Sequence, residues 1–109
     1  MATALLASCN SAPKNQIVIG SKFFTEQVVL AELLAQHIEA RTGIHVERKT
    51  NLGGTLLVHK AMQAGQVDLY VEYTGTALNA VLNETPKGDS RAVYQRVKQG
   101  YADRFKFEV

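Results

Sequence analysis

From Gln16 onward, short apolar runs alternate with stretches in which apolar residues recur at helical spacing. Ile17-Val18-Ile19, closed by Gly20, reads as a strand buried on both faces. Thr25 and Glu26 signal a helix start, and Leu30, Leu33, Leu34 and Ile38 keep the spacing until Gly43 stops it. Ile44-His45-Val46-Glu47 alternates as a strand with one wet face. Gly53-Gly54-Thr55 opens a second helix with Leu57, Ala61 and Ala64 on one side, ended by Gly65. Val67 to Val71 reads as a third strand, Thr76 to Leu82 as a short helix, and Thr85-Pro86-Lys87-Gly88 as a loop. Asp89 or Ser90 caps a last helix carrying Val93, Val97 and Tyr101. Phe105 to Val109 alternates as a half-buried strand, and the sequence stops inside it. The order β-α-β-α-β-α-α predicts an α/β domain over residues 16–109, a mainly parallel sheet flanked by helices on right-handed crossovers.

In such a sheet, ligands bind at the carboxyl ends of the strands. Three segments converge there: Ser21 to Glu26, Asn51 to Thr55, and Glu72 to Thr76. They are rich in hydroxyls, glycine and aromatic rings, whereas the opposite loops, Thr42-Gly43 and Gly65-Gln66, are bare turns. Glycines and hydroxyls at a helix start suit a carboxylate or phosphate, but the spacing matches neither nucleotide-binding glycine pattern. Thr55 and Thr76 read equally as helix N-caps, and Tyr73 as a packed ring with a wet hydroxyl.

Composition narrows the function. The 109 residues are 46% hydrophobic and 20% charged, as in one ordinary soluble domain. A net charge of +2 without a dense Lys/Arg run gives nucleic acid no footing. One cysteine excludes an internal disulfide, and no metal site or cofactor is implied. His37, His45 and His59 share no ligand spacing and read as exposed; Glu32, Glu39 and Arg41 read as a solvated helix face. Glu72 has the chemistry of a general base but no visible partner, so catalytic residues are absent and an enzyme is not expected. Residues 1–15 read as a remnant signal and linker. Leu6-Ala7-Ser8-Cys9 has the form of a lipobox, followed by polar residues, yet Met1 to Leu5 lacks a basic start and a full apolar run. Either the start is trimmed or the match is accidental.

Three motifs in order, Ile17-Val18-Ile19-Gly20-Ser21-Lys22-Phe23-Phe24-Thr25-Glu26-Gln27, Lys49-Thr50-Asn51-Leu52-Gly53-Gly54-Thr55, and Val67-Asp68-Leu69-Tyr70 with Glu72-Tyr73-Thr74-Gly75-Thr76, closely resemble the substrate-binding proteins of glycine betaine, choline and carnitine ABC importers. The resemblance runs from about Gln16 to Val109. It implies one lobe, truncated, of a two-lobed type II periplasmic binding protein. Such proteins close on a quaternary ammonium osmolyte and deliver it to a membrane permease. It also implies a periplasmic or extracytoplasmic place, with Cys9 as a lipidated anchor. A trimethylammonium group has no N–H to donate and is held by aromatic faces instead. By resemblance Tyr73 supplies one wall of that cage, Thr76 and Thr55 lie near the ligand's polar end, and Ser21, Thr25 and Glu26 carry over less directly. Family chains are more than twice as long, and the second lobe adds the remaining rings. Weak binding by this chain alone, and pairing of two copies through the cut sheet, are the expectations that follow. A ligand-sensing regulatory domain of the same fold, or a non-binding fragment that self-associates, are the competing readings.

Overall fold

A computed structural model describes residues 15–109. Cys9 and the rest of the expected signal and linker up to residue 14 lie outside the described residues. Strand β1 (Gln16–Gly20) pairs in parallel with β2 (His45–Lys49), Ile17 opposite Val46 and Ile19 opposite Arg48. Val18 and Ile19, which point to opposite faces, are both buried, so β1 is covered on two sides as its unbroken apolar run predicts.

Helix α1 (Thr25–Thr42) joins the two strands. Glu26 in its first turn and Arg41 in its last complement the helix dipole, and Gly43 ends it in the left-handed conformation, φ 69°, with its N–H donated to Glu39 O. The buried stripe of α1 is Gln27, Ala31 and Ala35, flanked by half-buried Leu34 and Ile38. Leu33, expected inside, is 62% exposed. Apolar residues surround α1 on several sides, so spacing alone did not select the face, and the two alanines let the helix approach the sheet closely.

Helix α2 (Thr55–Gln63) likewise turns a different face inward. Val58 and His59 are buried while Leu56 and Leu57 are exposed. His59 is therefore not the surface residue expected. Its ring packs edge-on to Tyr101, Phe105 and Phe107, with centroids 5.7, 4.5 and 5.5 Å away.

The expected third strand is reduced to a single parallel bridge, Ile19 with Leu69. Its cause is Asp68. Val18 N donates to Asp68 Oδ2 at 2.8 Å, so a side-chain carboxylate takes a ladder position that a carbonyl would hold in a strand. Gly20 lies here against Val67, where a Cβ would meet Val67 Cγ1 at 2.9 Å. After residue 73, a single α-turn, α3 (Thr74–Thr76), widens into a π-turn over Ala77–Val81, closed by Leu82 N donating to Ala77 O at 3.0 Å. Helix α4 (Ser90–Phe105) is capped by Asp89, which accepts from Ala92 N at 2.9 Å, and buries Val93, Val97 and Tyr101 as predicted. It runs through Phe105 to Lys106 in the left-handed region, so Phe105 to Val109 does not form the expected strand. Phe105 and Phe107 are instead drawn onto the apolar cluster of the π-turn, Leu82 and α4.

Glu32 and Glu39 are not a free helix face either. Arg48 on β2 reaches both, with Nη1 2.7 Å from Glu39 Oε1 and Nε 2.9 Å from Glu32 Oε2, clamping α1 to the sheet. Arg48 pulls the Glu39 carboxyl down to about 2.

Candidate functional site

The three rim segments meet. Ser21 N donates to Lys49 O, Leu52 N to Ser21 O and Phe23 N to Gly53 O, at 3.0–3.1 Å, tying the first loop to the second. Ser21 is fully buried and its hydroxyl accepts from Asn51 N at 3.0 Å, so it works between the loops. Asn51 takes a left-handed conformation, φ 56°, a turn that asparagine tolerates.

Lys22 is the centre of the site. It is 4% exposed, and its Nζ donates to Glu72 Oε1 at 2.5 Å and to Thr55 Oγ1 at 3.3 Å. The same ammonium lies over the Tyr73 ring, 4.8 Å from its centroid, and 5.6 Å from that of Phe24. The Phe24 and Tyr73 rings stack at 6.3 Å with an interplanar angle of 18°. Glu72 Oε1 also accepts the N–H of Tyr73 at 2.9 Å, fixing the backbone beneath that ring. At the ring's outer end, Tyr73 Oη donates to Glu26, and that carboxylate raises the Tyr73 phenol.

Each sequence-predicted site residue can now be placed. Tyr73, Glu26 and Thr55 are brought together around Lys22. Thr25 opens α1 beside Glu26 and is exposed. Thr76 is half-buried at the end of α3. Neither Thr55 nor Thr76 is an N-cap; Gly54 and Tyr73 hold those positions. Sequence reasoning missed Lys22 and Phe24 and left Glu72 unpartnered. Lys22 and Glu72 stand 50 positions apart, and no local pattern signals that pair. A lysine followed directly by two phenylalanines was the available hint.

Chemically the rim offers a parallel ring pair at its surface, one buried ammonium, and two carboxylates, Glu26 and Glu72. Charge and aromatic faces together suit an organic cation, and the ammonium adds a contact for an anionic group.

The fold and this rim define a lobe of a periplasmic-type solute-binding protein. Two solved structures share it: apo YehZ from Escherichia coli, TM-score 0.75 and 29% identity, covering 84% of this chain and 33% of that one; and a glycine betaine/carnitine/choline ABC transporter structure, TM-score 0.72 and 26% identity, covering 85% and 35%. Residues 15–109 match the OpuAC family, the substrate-binding domain of ABC-type glycine betaine transport systems, and the chain belongs to that family. Relatives include the carnitine transport binding protein OpuCC of Listeria monocytogenes, 37% identical over 106 residues, covering 92% of this chain and 34% of the relative. The glycine-betaine-binding protein of Pseudomonas aeruginosa is 39% identical over 99 residues, covering 91% and 31%. The chain thus spans about a third of the length of these relatives.

Proposed function

We propose that this chain supplies one wall of the site for a quaternary ammonium solute, such as glycine betaine or choline, in an osmoprotectant ABC importer. The observation that carries the reading is the stacked pair of partly exposed rings, Phe24 and Tyr73, at the rim. Glu72 offsets the Lys22 charge, and the ring surface that Lys22 leaves exposed, with the Glu26 carboxylate beside it, is electrostatically suited to a positive ligand head. A trimethylammonium group would take the exposed ring surface of Tyr73 and Phe24. A carboxylate on the same solute would turn toward Lys22 and the hydroxyls of Thr55 and Thr76, with Thr25 and Glu26 at the edge. Ser21 serves by holding the loops in register.

Family membership supports delivery of that solute to a membrane permease, and an extracytoplasmic place for the protein, with Cys9 as its lipid anchor. Each ring contributes on the order of 0.5–2 kcal/mol to such a cation, so two rings on one side give weak binding. Tight binding needs rings that this wall does not supply. The test is an NMR titration with glycine betaine, choline and carnitine, and with proline as a control lacking the trimethyl group. Selective shifts of the Tyr73 and Phe24 ring signals, saturating only at millimolar ligand, are expected. Equal response to proline would overturn the trimethylammonium reading, and micromolar affinity by calorimetry would overturn the one-wall reading.

A further inference from the structure

Behind Glu72 lies a cavity of about 240 Å³, lined by Tyr70, Glu72 and Tyr73 from the rim segment, Val97 and Tyr101 from α4, and Phe107 among others. The two oxygens of Glu72 face different worlds. Oε1 holds the Lys22 ammonium and the Tyr73 N–H, whereas Oε2 is buried without a protein partner among the described residues. The hydroxyls of Tyr70 and Tyr101 are also buried without a well-formed hydrogen bond, although they lie close enough to act on each other, and Tyr70 on Glu72; Tyr101 is only 5% exposed. Buried polar groups are rarely left unpaired, and three such oxygens around one cavity share a common solution. At about 30 Å³ per water the space has room for water, and Glu72 Oε2 with the two hydroxyls supplies the polar neighbours that an ordered molecule requires. Burial pushes the Tyr101 phenol up to about 12, with the Glu72 charge adding to it, so both rings keep their protons and remain donors. Burial raises the Tyr70 phenol further still.

We propose that Tyr70 and Tyr101 are positioning residues for the binding site: together with ordered water in this pocket their hydroxyls form one hydrogen-bonded chain to Glu72 Oε2, fixing the carboxylate that holds Lys22 and the Tyr73 backbone. The effect on ligand rests on the solute-binding reading above; the effect on Lys22 does not. Helix α4 thereby contributes to the site through a chain of hydrogen bonds, although none of the site groups named above belongs to it.

Tyr70→Phe and Tyr101→Phe, made in the full chain, remove the hydroxyls and keep the rings. In the unsubstituted protein the Lys22 amino protons should exchange slowly in ¹H–¹⁵N spectra, and several-fold faster in either variant. Affinity for glycine betaine should fall several-fold in Tyr101→Phe. It should fall no further when Tyr101→Phe is added to Glu72→Gln. An equal loss in both backgrounds, or unchanged Lys22 exchange, would overturn the relay, since a purely structural tyrosine acts without regard to Glu72. If the unsubstituted protein ignores trimethylammonium compounds, the solute-binding reading fails while Lys22 exchange still decides this one.

Discussion

Lys22→Met keeps the aliphatic stem of the side chain and deletes its charge. The side chains of Lys22 and Glu72 are 5% and 11% exposed and their charged atoms stand 2.5 Å apart, so the substitution strands a buried carboxylate. Removing one partner of a buried pair costs about 3–5 kcal/mol. Glu72 keeps the Tyr73 N–H at 2.9 Å and a little solvent, which places the loss near the lower end, about 3 kcal/mol. Glu72→Met, which strands the ammonium, should cost a similar amount. The double variant leaves no buried charge. It gives up the bonds to Thr55 Oγ1 and Tyr73 N, about 1 kcal/mol each at most, and regains apolar packing. Its expected loss is about 1–2 kcal/mol, well under the sum of the singles. Urea unfolding followed by far-UV circular dichroism measures all four proteins, provided their slopes agree. Additivity within about 0.5 kcal/mol would refute the reasoning, because independent sites add and a buried pair cannot.

Tyr73→Ala should lower affinity for trimethylammonium solutes by roughly 2- to 30-fold, the equivalent of about 0.5–2 kcal/mol, while Tyr73→Phe retains most of it; calorimetry in the full chain reads both. Gly20→Ala places a Cβ 2.9 Å from Val67 Cγ1 and 3.1 Å from Cγ2, on a buried β-branched residue with little room to turn, and should cost about 1–3 kcal/mol in thermal unfolding. Burial, the largest influence, lowers the His59 imidazole below its ordinary 6.5, opposed by Glu72 and reinforced by Arg104. The unfolded chain therefore binds that proton more readily, so stability is full above 6.5 and declines as pH falls below it; His59→Leu should flatten this between about pH 7 and about pH 5. Glu39 is depressed from 4.5 to about 2 by Arg48, so its contribution is present above 4.5 and lost as pH falls through 2. Arg48→Met should shrink that acid transition in a pH-dependent melting series, leaving the smaller part due to the Val46 N–H that Glu39 also accepts.

Much of the scaffold was legible because it depends on local signals. β1, α1, β2 and α4 follow from apolar spacing and from punctuation at Gly20, Gly43 and Asp89, each of which works within a few residues. What failed depended on distant partners. Asp68 looks like an ordinary polar position in a strand until its carboxylate is seen bonding Val18, 50 residues earlier. His59 looks like an exposed helix residue until three aromatic rings from beyond residue 100 close over it. The inward faces of α1 and α2 were misjudged because both carry leucines on more than one side, and tertiary packing chose among them. At the rim, loop chemistry pointed to the right segments, but the pairing of Lys22 with Glu72 required the fold itself.

The apolar interior is divided in two. One cluster joins β1, β2 and α1, with Leu69 packed against it; the other begins at Ala77 and gathers the π-turn and α4. Residues 70–76 cross from the first to the second, and Glu72 and Tyr73, on which the site turns, stand in that crossing. The seam between two hydrophobic bodies is thus stitched with charges, rings and hydroxyls in place of grease. A solute gripping Tyr73 would act as a staple across that seam, tightening the two bodies against each other. Amide exchange should then slow on both sides of residues 70–76 when ligand is present, far beyond the atoms it touches.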